Sequence, residues 1–176
     1  MPQLIKHRAV VDDPWVLLRT AERLADMPDG GSAIVPLPLW LEHRDDLAAR
    51  GEVGVWLAPD DDPATLAEDM ARLPLIAVDF PKFTDGRGYS IARLLRDRFH
   101  FAGELRAIGD VLRDQLYALA ECGFDAYSIR ADRDATAALA GLDDFAGVYA
   151  PTSHTPQPWF RRRAAVVSAH PVPIKL

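Results

Sequence analysis

Apolar residues along this chain form two alternating patterns: short continuous runs, and positions three or four residues apart. The clearest short run is LIAVDF (75–80), and ELRAI (104–108) and FDAYSI (124–129) follow it. Each run is too brief for a helix and rich in β-branched or aromatic residues, so each predicts a strand. Between them, apolar residues at helical spacing predict helices over about 90–98 and 110–123. Strands that alternate with helices indicate βα units and a parallel sheet with right-handed crossovers.

The same patterns predict further elements on both sides of this segment. They indicate an edge strand in residues 1–11, helices in 12–27, 63–73 and 132–142, strands in 33–37, 53–58 and 145–150, and a helix that ends near Gly51. The fold class is therefore α/β, with about six mostly parallel strands alternating with helices. Two architectures fit, an open doubly wound sheet or a partial (β/α) barrel, because a full eight-stranded barrel typically needs about 250 residues and this chain has 176.

Charge and proline content divide the chain at about residue 150. Residues 1–150 carry 16 basic and 26 acidic side chains, whereas residues 151–176 carry four basic side chains, no acidic one and five prolines. This division predicts a single α/β domain over 1–150 and a proline-rich basic C-terminal tail over 151–176. The tail fits an extended segment that is solvated or docked on its own domain, or one that docks on an acidic partner protein.

Composition also limits the environment and the partners of the protein. The net charge of −6 argues against nucleic acid as a partner, and the single cysteine, Cys122, cannot form an internal disulfide. No secretory segment and no apolar run long enough to span a membrane is present, so we expect a cytoplasmic protein without membrane contacts. Association of identical copies stays open.

Ligands of parallel α/β sheets bind at the carboxyl ends of the strands. Charged residues lie there in three predicted strands: Asp79 and Lys82 at or just past the end of the first, Arg106 near the end of the second, and Arg130 just after the third. The loop after residue 80 adds two glycines, which permit positive φ or a close approach to a ligand. These positions predict a small-oxyanion site. The expected ligand-binding residues are Asp79, Lys82, Asp85, Gly86, Gly88, Arg106 and Arg130. The expected catalytic residues, which would hold the anion or donate a hydrogen bond or proton, are Arg87, Tyr89 and Asp110.

A structural explanation of the same charges stays open beside the site. Arg87, Arg93 and Arg106 can equally form ion pairs with neighbouring carboxylates, namely Asp79, Asp85, Glu104 and Asp110. A flavin or nucleotide is disfavoured because the loop lacks both G-x-G-x-x-G and a lysine-bearing phosphate loop.

No metal site is predicted, and the cofactor stays unknown. The triplet Asp60 to Asp62 precedes Pro63 and indicates a helix cap. The five histidines match no zinc spacing, and no cysteine cluster is present to hold an iron–sulfur centre or haem. Cys122 is expected to be structural.

Three long motifs resemble a bacterial family known as domain of unknown function family 934. They are FPKFTDGRGYSIARLLRDR (80–98), GELRAIGDVLRDQL (103–116) and CGFDAYSIR (122–130), and the resemblance covers roughly residues 30–150. Members are described as oxidoreductases of sulfite reduction because their genes tend to lie beside that of the haem-containing sulfite reductase. The resemblance thus implies an accessory or catalytic factor of assimilatory sulfur metabolism. The rival expectation is a non-catalytic partner that binds sulfite reductase or its electron donor, and whether the protein is an enzyme stays open.

Overall fold

The computed structural model describes residues 3–145, 147–158 and 160–161, in which eight strands form one sheet in the order β2-β1-β8-β7-β6-β5-β4-β3. Neighbours from β3 to β8 pair in parallel, whereas β1 is antiparallel to β2 and β8. The strands are β1 Gln3–Lys6, β2 Ala9–Asp12, β3 Val16–Leu17, β4 Ala33–Pro36, β5 Val53–Leu57, β6 Leu75–Phe80, β7 Glu104–Gly109 and β8 Ala126–Tyr127. The predicted α/β class and mostly parallel sheet are confirmed, but with eight strands instead of about six.

Five short α-helices in the described part of the chain all cover the same face of the sheet, four of them between strands and the last one after β8. They are α1 Leu37–Glu42, α2 Arg44–Arg50, α3 Arg87–Arg93, α4 Leu116–Glu121 and α5 Ala135–Ala138. Their buried side chains share one core with Val55 and Val78 of the central strands. The opposite face carries a small separate cluster, which no helix joins in the described part of the chain. The sheet is therefore not doubly wound, and no described helix is long and apolar enough to cross a bilayer.

Chain connectivity forces the sheet to curl into a half-barrel. Strands β2 and β3 form its opposite edges, yet β2 ends at Asp12 and β3 begins at Val16. A flat sheet of eight strands would be about 34 Å wide at about 4.8 Å per spacing, whereas four Cα steps reach at most about 15 Å. The edges can be joined only if the sheet bends, so the partial barrel is the correct one of the two predicted architectures.

The short segment between β2 and β3, residues 13–15, crosses the helix-free concave face of the half-barrel. An oxygen of Asp13 accepts a hydrogen bond from Arg106 of β7 at 2.8 Å, and Trp15 packs against the concave-face cluster that includes Leu75 and Ile108. Arg106 also pairs with Glu104 at 2.7 Å. We call Asp13, Glu104 and Arg106 the concave-face clasp. It joins the connecting segment to the middle of the sheet.

Strand β6 is the centre of this arrangement. All six of its residues are buried, as expected for a parallel strand with both faces covered. Its bounds, and the beginning of β7 at Glu104, agree with the strands predicted from LIAVDF and ELRAI. Since the two strands pair along their full lengths, they end side by side at Phe80 and Gly109.

Two predicted elements at the ends of the domain are wrong. Residues 12–27 do not form a helix, because the open edge of β4 accepts hydrogen bonds from the backbone N–H groups of Val16 and Leu18 at 3.0 and 2.9 Å. The predicted strand at 145–150 is absent from the described residues 145 and 147–150, and Phe145 and Tyr149 are exposed to solvent.

Only part of the predicted tail can be placed. Thr152 donates a hydrogen bond to Glu121, and Ser153 donates one to Asp97 at 2.7 Å, so the start of the tail lies against the helical face. Most of the basic and aromatic tail residues lie outside the described residues, namely Trp159, Arg162, Arg163 and Lys175. The division at residue 150 stays a prediction.

Candidate functional site

The carboxyl ends of β6 and β7 place a buried carboxylate next to an arginine from the segment after β3. Asp79 follows Leu75 and Ala77 at every second position, so it faces the concave side of the sheet. It is 7% exposed, and one of its oxygens accepts a hydrogen bond from Arg19 at 3.0 Å. The Arg19 guanidinium also lies 5.9 Å from the centre of the Trp56 ring. Two contacts therefore hold Arg19 at the rim of the half-barrel.

Asp110 joins the three loops that follow β6, β7 and β8. Its backbone N–H donates to the carbonyl of Phe80 at 2.7 Å. One side-chain oxygen accepts from the Phe83 N–H at 2.9 Å, and the other accepts from Arg130 at 2.7 Å. Asp110 does not cap the helical turn that follows it, since the Leu112 N–H donates to the side-chain oxygen of Gln115 at 2.9 Å.

Gly109 permits this close meeting of loops. Its φ is +97°, a conformation that strains other residues, and a Cβ atom there would lie 2.7 Å from an oxygen of Asp79. The chain can therefore turn over the end of β6 only where a side chain is missing.

Arg130 and Arg133 extend the rim beyond β8. The Arg130 backbone N–H donates to the carbonyl of Val111 at 3.1 Å, and its side chain binds both oxygens of Asp132 at 2.6 and 3.1 Å. The hydrogen bonds from Arg130 hold the pKa of Asp132 below its usual value. The pKa of Arg130 is raised, mainly by its hydrogen bonds to Asp132 and next by the one to Asp110. Arg133 lies 3.7 Å from Asp132. The hydrogen bonds to Asp110 and Asp132 thus fix the position of the Arg130 guanidinium, whereas the contact of Arg133 is too long for a hydrogen bond.

An open cavity of about 450 Å³ lies among these loops. Arg19, Arg130 and Arg133 line it, together with the polar side chains of Gln3 and Ser128. Within the described part of the chain, no carboxylate lines its wall. We call it the arginine cavity. Aspartates outside this wall partly balance its positive charge: Arg19 pairs with Asp79, Arg133 lies near Asp132, and Arg130 pairs with both Asp110 and Asp132.

The sequence predicted some of these residues and missed others. Asp79, Asp110 and Arg130 lie together at the carboxyl ends of the strands, as expected. Arg19 was missed because a helix was predicted for residues 12–27. Leu17 and Arg19 are two positions apart, so they would also lie on one side of an extended chain. Gln3, Ser128 and Arg133 carried no recognisable motif.

Arg106 lies elsewhere. It was expected near the end of its strand, but it pairs with Ala77 in the middle of β7 and is 2% exposed. Its guanidinium is bonded to Asp13 and Glu104 within the concave-face clasp. Arg106 is therefore part of a structural ion-pair network, which was the alternative left open by the sequence.

Arg87 is also separated from the cavity. It lies in the first turn of α3, where it binds both oxygens of Asp85 at 2.9 and 2.6 Å and also pairs with Asp60. The hydrogen bond from Arg87 lowers the pKa of Asp85 to about 2. Two carboxylates neutralise Arg87, and the loop is joined to the end of β5 through Asp60. Lys82 is exposed and forms no ion pair with a described residue.

Tyr89 packs into the helical core instead of facing the cavity. Its ring meets the ring of Phe80 edge-on, with centroids 5.4 Å apart. Burial is the main cause that raises the pKa of its hydroxyl. A proton donor at the strand ends would need access to the rim, which this packing does not provide.

Of the two loop glycines Gly86 and Gly88, only Gly88 is required for packing, so alanine at the two positions should affect stability to different extents. At Gly88 a Cβ atom would lie 2.5 Å from the Phe80 ring, whereas at Gly86 it would meet nothing within 4 Å. Gly88→Ala should therefore lower the free energy of unfolding by roughly 1–3 kcal/mol, a typical cost of overpacking. Gly86→Ala, with φ −87°, is the matched control and should change it by less than about 1 kcal/mol. Urea unfolding measures the free energy of unfolding of both variants. Equal losses would contradict the close packing of Gly88 against the Phe80 ring.

Cys122 is half-buried at the end of α4, and burial raises the pKa of its thiol above the ordinary value of 9.0. Since the thiolate is the reactive form, we expect its reaction with a disulfide reagent at about pH 8 to be at least about tenfold slower in the folded protein than in urea. Because folding favours the neutral thiol, its contribution to stability is present below pH 9 and falls as the pH rises further. Rapid reaction of the folded protein would contradict a structural role for Cys122.

No cluster of metal-ligating side chains is found among the described residues.

Comparison with known families adds one finding. A family model described as "Bacterial protein of unknown function (DUF934)" matches residues 54–160. The chain belongs to the DUF934 family. Within this DUF934 protein, the match includes Arg130 and Arg133 of the arginine cavity, while Gln3 and Arg19 precede it. Neither the curated proteins nor the solved structures contain a match.

Proposed function

We propose that this DUF934 protein binds a small oxyanion or phosphorylated ligand in the arginine cavity, as an accessory or catalytic factor of sulfite reduction. The observation that supports the binding site is a cavity wall with three arginines and no carboxylate among the described residues. The pathway comes from the resemblance to a family whose genes neighbour sulfite reductase.

The arginines keep hydrogen-bond donors available for an anion. A guanidinium group has five N–H donors, and Arg19 uses one of them on Asp79. Among the described side chains, Arg133 forms an ion pair with Asp132 alone, at the long distance of 3.7 Å. Aspartates that hold these groups in place reduce the entropy lost when a ligand binds, and guanidinium–oxyanion hydrogen bonds are among the stronger ones in proteins.

Calorimetric titration tests the site. Sulfite, sulfate and phosphate should bind the wild-type protein, and Arg133→Gln should weaken binding by about tenfold, since a hydrogen bond to a charged group contributes about 1.5–3 kcal/mol. Arg72→Gln is the matched control, because Arg72 is about half-exposed and pairs with Asp45 away from the cavity. Absence of binding, or equal loss in both variants, would overturn the proposed site.

Growth tests the pathway separately. In a strain that lacks the gene, the wild-type gene should restore growth on sulfate as the sole sulfur source, and Arg133→Gln should restore it poorly. Normal growth of the deletion strain on sulfate would remove the link to sulfite reduction and leave the anion site standing.

Exposed aromatic side chains favour a second function, a non-catalytic partner of sulfite reductase or its electron donor. Phe145, Tyr149 and Phe160 are 65, 76 and 58% exposed, and large exposed aromatic residues are enriched at protein interfaces. Purified sulfite reductase should then form a complex that Phe145→Ser weakens, whereas Val16→Ser, at an exposed position on β3, leaves it intact. A mixture that elutes as two separate proteins would exclude this partner.

A further inference from the structure

Apolar residues line the arginine cavity together with the polar groups already described. They are Leu17, Ile108 and Ile129. Ile108 and Ile129 are 2 and 7% exposed, and Leu17 is half-buried on β3. A site for a bare inorganic ion needs donors on all sides, because burial of an anion against hydrocarbon is unfavourable.

The size of the cavity also favours an organic ligand. Its volume of about 450 Å³ falls in the range of roughly 300–1,000 Å³ that is typical of sites for organic ligands. At about 30 Å³ per molecule, it would hold about 15 waters, far more space than a tetrahedral oxyanion requires.

Two polar side chains add to the charged wall. The Gln3 amide and the Ser128 hydroxyl line the cavity, and neither donates or accepts a side-chain hydrogen bond with another described residue. Ser128 and Arg130 both line the cavity and are close in sequence, so both can serve one ligand group. The cavity therefore offers a ligand hydrogen-bond donors as well as hydrocarbon.

We infer that the ligand of the arginine cavity is an organic phosphate or sulfate monoester with a small apolar body, and not a bare inorganic oxyanion. The inference rests on the proposed function, since it assumes that the cavity binds anions. The oxyanion end contacts Arg19, Arg130 and Arg133, and the apolar body lies against Leu17 and Ile129.

Titration with matched ligands tests the inference. Phenyl phosphate and phenyl sulfate are compared with inorganic phosphate and sulfate on the wild-type protein. At least one ester should bind about tenfold more tightly than its inorganic ion, the gain expected if about 60 Å² of apolar surface leaves water. Leu17→Ser should reduce the ratio of ester affinity to inorganic-ion affinity toward one, whereas Leu24→Ser, away from the cavity, should leave this ratio unchanged.

The outcomes separate this inference from the proposed function. If esters and inorganic ions bind equally, the organic ligand is excluded while the anion site remains. If esters bind more tightly but Arg133→Gln has no effect, they occupy another site and the inference fails. If no anion binds at all, the inference and the proposed function fail together. The wild-type comparison needs no variant, so a Leu17→Ser protein that does not fold leaves the test intact.

Discussion

Arg106→Met should lower the free energy of unfolding by about 3–5 kcal/mol, the cost typical of breaking a buried ion pair. Arg106 is 2% exposed, and its partners Asp13 and Glu104 have side chains that are 10 and 9% exposed. Without the guanidinium, two carboxylates would remain in the concave face with only Lys6, 2.6 Å from Glu104, as a neighbouring cation. Urea unfolding measures the loss.

A surface arginine provides the control for this loss. Arg93 pairs with Asp97 at 2.9 Å, but both side chains are more than 40% exposed. Arg93→Met should therefore cost less than about 1 kcal/mol. If the two variants unfold at the same urea concentration, the concave-face clasp does not stabilise the fold.

Arg19→Gln should weaken oxyanion binding by about 30-fold or more while the protein remains folded. The variant loses a guanidinium that lines the cavity, and it also leaves the Asp79 carboxylate, 7% exposed, without its cation at 3.0 Å. A charge-assisted hydrogen bond contributes about 1.5–3 kcal/mol, and the released carboxylate repels the anion further. Titration with phosphate, together with circular dichroism, measures both properties.

A second substitution distinguishes the two contributions. If repulsion by Asp79 matters, the double variant Arg19→Gln, Asp79→Asn should recover part of the lost affinity, because the neutral amide no longer opposes an anion. Unchanged phosphate binding in Arg19→Gln would show that the anion does not contact this end of the cavity.

The strands were largely predictable because local pattern and burial agree in them. LIAVDF forms β6 with the expected bounds, since a central parallel strand is apolar on both faces. The half-barrel was one of two predicted architectures, and no local signal chooses between them. The choice depends on the joining of opposite sheet edges by residues 13–15, a long-range property of the chain.

The candidate site was harder to predict than the fold. Asp79 lies at the end of β6, and Asp110 and Arg130 lie in the loops after β7 and β8, so the rule for parallel sheets placed them correctly. The rule did not hold for Arg106, because this residue lies in the middle of β7 and its side chain faces the concave side of the sheet. Arg19 was hidden because apolar residues at 17, 18, 21, 24 and 25 fit helical spacing. An open sheet edge, which the sequence does not reveal, draws Val16 and Leu17 into a strand, and Arg19 follows it outside any helix.

The most direct measurement is an anomalous difference map from crystals soaked with selenate, a heavy analogue of sulfate. The central claim is that the arginine cavity binds oxyanions, and it predicts a selenium peak with oxygens about 3 Å from the guanidinium groups of Arg19 and Arg133. The same soak of Arg133→Gln crystals should show a much weaker peak. An empty cavity, or a dominant peak beside Lys82 and Arg87, would contradict the claim and return the anion site to the loop after β6.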